Sequence, residues 1–110
     1  MFENKHNITN IRLYFNSHQL CELGEDWYTI NFTIDMEPSK WIPDYRDIKT
    51  FVEAHLDGKK FTAENAMKKL SDFMMSSYYP YCLKIEAEVG DSNHPRVIVT
   101  SETYGVGGEE

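Results

Sequence analysis

Hydrophobic and polar residues alternate with a period of two in four stretches of the chain. In residues 26–36, Tyr28, Ile30, Phe32, Ile34 and Met36 share one parity, and Trp27, Thr29, Asn31, Thr33 and Asp35 share the other. Successive side chains of a strand point to opposite faces, so this pattern predicts a strand with one buried and one polar face. Residues 8–20 repeat it, with Ile11, Leu13 and Phe15 set against Arg12, Tyr14, Asn16 and His18. Residues 81–89 set Leu83, Ile85, Ala87 and Val89 against Lys84, Glu86 and Glu88, and residues 96–104 alternate Val97, Val99 and Ser101 with Ile98, Thr100 and Glu102. A turn around Gly24 joins the first pair, and Gly90-Asp91-Ser92-Asn93-His94-Pro95 is the expected hairpin loop of the second.

Between the two pairs the period changes to that of a helix. Tyr45, Ile48, Phe51, Val52 and Leu56 recur on one stripe after Asp44, and Asp57-Gly58 is a stop signal. Thr62 is a good N-cap, Glu64 sits where the helix dipole favours an acid, and Ala66, Met67, Leu70, Phe73 and Met74 form the next stripe before Pro80. The order is ββααββ. Every element has one apolar side, so the economical packing is α+β: a four-stranded antiparallel sheet with two antiparallel helices on one face. The other face then carries Arg12, Asn16, Thr33, Lys84, Glu86 and Glu88. Residues 1–104 make a single domain, and the Gly-rich stretch 105–110 is expected to be a flexible tail.

Charge removes one class of partner. With 11 Lys and Arg against 18 Asp and Glu, the 110-residue chain carries a net charge of −7 and has no basic cluster longer than Lys59-Lys60, so no nucleic-acid partner is expected. No apolar stretch approaches spanning length, which argues against a membrane partner. Two cysteines, Cys21 and Cys82, make no disulfide framework, and no signal peptide is visible, so a cytoplasmic setting is expected.

Two helix starts sharpen the picture. Lys40-Trp41-Ile42-Pro43-Asp44-Tyr45-Arg46-Asp47-Ile48-Lys49 and Phe61-Thr62-Ala63-Glu64-Asn65-Ala66, followed by Ser101-Glu102-Thr103, resemble the corresponding segments of the 6-pyruvoyl/6-carboxytetrahydropterin synthase family, the zinc enzymes of the tunnelling fold or T-fold. The resemblance covers roughly residues 11–104. It implies a homo-oligomer whose sheets join edge to edge into a barrel, with helices outside and ligand pockets at subunit interfaces. Such joining also satisfies the open edges of a four-stranded sheet.

The same resemblance implies a zinc site that this chain has largely lost. His18 falls where the first histidine ligand belongs, but the family's His-Gly-His segment corresponds to Gly24-Glu25-Asp26-Trp27-Tyr28. No metal is therefore expected, with His18 and Asp26 as residual candidates. Cys21 sits near the family's catalytic cysteine, and Asp57 stands where a Leu-Asp-His segment becomes Leu56-Asp57-Gly58. These are the two candidate catalytic residues. Either also has a plain structural reading, Cys21 as a small turn residue and Asp57 as a helix-end residue. Glu102 and Thr103 match the family's ligand-gripping position. A carboxylate can accept two parallel N–H bonds from an amino group and the adjacent ring N–H, which suits a guanine-like edge. Trp27 on the polar face and His18 complete the candidate ligand-binding set.

Three functions follow. The first is a T-fold oligomer that binds a small heterocycle, a pterin- or purine-like base, without zinc catalysis and with no cofactor. The second is a divergent 6-carboxy/6-pyruvoyltetrahydropterin synthase, a lyase that would need zinc. The third is a barrel serving assembly alone. The retained Glu102 beside a dismantled metal site favours the first.

Overall fold

The computed structural model describes the backbone of residues 1–21, 27–91 and 94–105, and the side chains of all of these except 21, 91, 94 and 95. Along the chain run β1 (Phe2–Glu3), β2 (Ile11–Cys21), β3 (Trp27–Glu37), β4 (Trp41–Ile42), α1 (Tyr45–His55), β5 (Lys60–Phe61), α2 (Ala63–Tyr78), β6 (Cys82–Asp91) and β7 (His94–Tyr104). The four long strands and two helices keep the order ββααββ. They form an α+β layer pair with β3, the most regularly alternating stretch of sequence, at the centre of the sheet.

The sheet itself differs from the expectation. It is five-stranded and mixed, in the order β5-β2-β3-β6-β7, rather than four-stranded and antiparallel. The four long strands do pair antiparallel, but β5 adds a parallel edge, matching Lys60 with Leu20 and Phe61 with Cys21. Gly58, at φ 72°, turns the chain back after α1, and its N–H donates to the His18 carbonyl at 2.9 Å. The returning residues then lie alongside β2. Two residues are too few to show any alternation. A separate two-stranded ribbon pairs β1 with β4. The hairpin after β6 is also tighter than Gly90–Pro95, because Asp91 already pairs with His94 across a bulge.

The buried face is the predicted one. Tyr28, Ile30, Phe32, Ile34 and Met36 pack with Ile48, Val52 and Leu56 from the α1 segment. They also meet Ala66, Met67, Leu70, Met74 and Tyr78 from α2, and Leu83, Ile85 and Ala87 from β6. Tyr45, assigned to the α1 stripe by spacing, is instead exposed. Both helix starts are capped as expected: Asp44 accepts from the Arg46 N–H at 3.0 Å and Thr62 Oγ1 from the Asn65 N–H at 3.2 Å. The α2 C-terminus closes on Tyr79 in the left-handed region, φ 50°, just before Pro80. No described helix is long and apolar enough to cross a membrane.

The end of β7 is held by a close backbone approach. The Gly105 N–H donates to the Tyr81 carbonyl at 3.0 Å, and a Cβ at Gly105 would lie 2.4 Å from the Pro80 carbonyl oxygen. Backbone cannot yield as a side chain can. Gly105→Ala is therefore expected to destabilise the fold by about 1–3 kcal/mol in urea unfolding.

Candidate functional site on the polar sheet face

Strand register places four charged residues in one row across the polar face. Arg12 of β2 faces Asp35 of β3, Asp35 faces Lys84 of β6, and Lys84 faces Glu102 of β7. The signs alternate along the row. Arg12 grips Asp35 with two bonds, Nε to Oδ1 at 2.7 Å and Nη2 to Oδ2 at 3.2 Å, which holds the guanidinium above its usual pKa range. Lys84 Nζ lies 3.9 Å from Glu102 Oε1. This row borders an open concavity of about 660 Å³, lined also by Tyr14, Thr33, Glu86 and Thr100. That volume is within the ~300–1,000 Å³ of small-molecule sites.

Glu102 is the best-prepared acceptor in the row. Tyr104 Oη donates to its Oε1 at 2.6 Å, fixing the carboxylate while leaving its other lone pairs open. That bond raises the Tyr104 hydroxyl above its ordinary pKa, so it remains a donor through the neutral range. Cys82, which faces Tyr104 in register, points its thiol at the same oxygen from 3.9 Å. No sequence motif marks Cys82 as a site residue. Its parity with Lys84 puts it, half-buried, on the polar face beside Glu102. Burial, with Glu102 and Glu37 nearby, pushes the thiol up from its usual value. At pH 8 less of it is thiolate than in a free cysteine. Iodoacetamide labelling at the Cys82 peptide, followed by mass spectrometry, should be slower than for a model thiol. Glu102→Gln should quicken it.

The other candidates fall elsewhere. Thr103 adjoins Glu102 but has the opposite parity, pairing with buried Leu83 on the helix side. His18 and Trp27 do come together: their rings stack at 5.2 Å with planes 7° apart, and His18 Nδ1 is 3.3 Å from Thr29 Oγ1. They share the polar face with Glu102, but His18 lies six positions beyond Arg12 along β2 (18 − 12), a distance of about 20 Å. No single heterocycle spans both within one protomer. Cys21 pairs by its backbone with Phe61, and its side chain is outside the described part. Asp26 lies outside the described residues.

Asp57 sits against the helix side of β2, away from His18. Its Oδ1 accepts from Ser17 Oγ at 2.5 Å, and Ser17 Oγ accepts from Gln19 Nε2 at 3.1 Å. Ser17 and Gln19 are both fully buried, so Asp57 closes a polar chain that ties the end of α1 to the sheet. Asp57→Ala leaves the Ser17 hydroxyl without its acceptor. It is expected to cost about 1–3 kcal/mol of stability and to leave ligand affinity at Glu102 unchanged, as titration of the folded variant would show.

The zinc that the resemblance implies finds no donor set among the described residues, which do not include Asp26. Zinc needs three protein ligands in convergent geometry, and among the described residues no group of three His, Cys, Asp or Glu converges. The carboxylates and the thiol near Glu102 are interleaved with Lys84 and Tyr104, an arrangement suited to hydrogen bonding.

The sequence matches no protein-family model and no curated protein. Solved structures do match. An archaeosine synthase, QueF-like, in the apo form superposes with a TM-score of 0.80 at 16% identity, covering 90% of this chain and 97% of its own. A protein assigned as the dihydroneopterin aldolase FolB of Vibrio cholerae O1 biovar El Tor superposes at 0.70 and 11% identity, over 86% of this chain and 96% of its own. The chain has the T-fold. The likeness spans nearly the full length of both neighbours. At these identities the likeness extends to the fold and no further.

Proposed function

We propose that this protein is a T-fold homo-oligomer that binds a pterin- or purine-like base on the polar sheet face, with Glu102 gripping the N–H edge, and that it acts by binding rather than by zinc chemistry. The observation that carries the reading is Glu102 itself. Its carboxylate is oriented by Tyr104, flanked by Lys84 and set at the rim of a concavity of suitable size. Two adjacent N–H donors are the natural complement of such a carboxylate. The structural neighbours support the choice of ligand, since they are named for archaeosine and for dihydroneopterin.

The concavity is open, and β7 is an edge strand with no partner on its outer side among the described residues. A second copy paired along that edge would bury the strand's free N–H and C=O groups and wall the site. Titration calorimetry with neopterin, dihydroneopterin, guanosine and GTP tests the ligand, and sedimentation tests the assembly. Binding of at least one of these, lost in Glu102→Ala, and a closed oligomer are expected. Silence across the panel in a folded, oligomeric protein would sink the reading.

A further inference from the structure

The groups beside Glu102 specify which edge of a heterocycle the site accepts, an inference that rests on the base-binding reading above. Lys84 is locked in register between Asp35 and Glu102, on the same face as both. Its ammonium stands 3.9 Å from Glu102 Oε1, too far for a hydrogen bond and close enough to act on the same ligand. Along the rim the site therefore offers a cationic donor and then a carboxylate with acceptor positions to spare. Tyr104 holds that carboxylate from the opposite side of the pair, since it lies across from Cys82, two residues before Lys84.

A 2-amino-4-oxo ring presents the matching series on one edge: an oxygen acceptor, a ring N–H and an amino N–H. We propose that Lys84 is a specificity-determining residue, reading the ring oxygen beside the N–H pair that Glu102 holds. The site then takes guanine-like heterocycles. It rejects rings that carry an amino group in place of the oxygen. In such a ring the amino donor faces the Lys84 ammonium and the bare ring nitrogen faces the carboxylate, and both contacts are repulsive.

Arg12, the other cation of the row, does not serve as the reader. Its Nε–Nη2 edge is already committed to Asp35, and it stands two strands farther from Glu102 than Lys84 does. Asp35, Glu86 and Glu102 outnumber Arg12 and Lys84 around the concavity, which favours a neutral ring over an anionic one.

The test compares ligand pairs that differ at the oxygen alone or at the whole edge. Guanosine and 6-thioguanosine share the ring N–H and the amino group, and differ only in acceptor strength at the position Lys84 would read. Pterin and 2,4-diaminopteridine differ in the full pattern. By calorimetry the wild-type protein is expected to favour the oxo member of the pair it binds by about ten- to a hundredfold, the scale of one hydrogen bond to a charged group. In Lys84→Met that preference should collapse toward unity, chiefly through weaker binding of the oxo ligand. If Lys84 were only a cross-strand ion pair, the variant would change both members alike and keep the ratio, and that result overturns the assignment. Wild-type binding with no preference for the oxo member also overturns it while leaving base binding intact. No binding of either parent defeats the base-binding reading and this inference together.

Discussion

Glu102→Gln is expected to weaken base binding by at least about a hundredfold, since two hydrogen bonds to a charged acceptor are each worth about 1.5–3 kcal/mol. The substitution keeps size and shape. It exchanges one of the two acceptor oxygens for an NH₂ donor, which then faces a donor on the base. It also removes the charge that strengthens both bonds. The protein's own stability should hardly move. The Glu102 side chain is 42% exposed and its links to Tyr104 and Lys84 lie at the sheet rim. Calorimetry and urea unfolding on the same preparation separate the two effects. A variant that kept its affinity would place the ligand elsewhere, whatever its stability. Tyr104→Phe should act in the same direction and more weakly, because it frees the carboxylate to rotate without removing it.

The fold was legible in sequence wherever an element was long enough to show its period. Tyr28 to Met36 announced the central strand and its buried face, and Asp44 and Thr62 announced both helix starts. The parallel strand β5 was not legible, because Lys60 and Phe61 are held by position. The turn at Gly58 delivers them to the end of β2, and no two-residue pattern encodes that. The site was legible one residue at a time and not as a set. Glu102 was visible from its motif. Arg12, Asp35 and Lys84 were each visible as polar-face residues, but their union in one row depends on register between three pairs of strands. Cys82 shows the same limit. Its parity with Lys84 was in the sequence and pointed to the polar face, and its place at the start of the strand obscured that signal. For Thr103 adjacency in sequence means separation in space, since neighbours on a strand face opposite ways. His18 and Trp27 joined through stacking across β2 and β3, in a spot far from Glu102 within one chain.

The largest stability loss is expected at Phe32. It lies on β3, the middle strand, with 1% of its surface exposed, directly opposite Phe15 on β2 and Ala87 on β6. The small Ala87 leaves room that the Phe32 ring fills, so truncation opens a cavity that its strand neighbours cannot close by shifting. Phe32→Ala should cost about 3–5 kcal/mol, a large share of the roughly 5–15 kcal/mol that holds a domain together. The urea midpoint should fall by about 2 M, given a slope of about 1–3 kcal/mol per molar. The adjacent Asn31 is exposed on the polar face, and Asn31→Ala should stay within about 0.5 kcal/mol. The two substitutions are one residue apart, so their contrast tests the face assignment itself. A one-residue slip of β3 would exchange their effects and would also break the row that joins Arg12, Asp35, Lys84 and Glu102. Stability measured at Phe32 and binding measured at Glu102 therefore probe the same register from the two sides of one sheet.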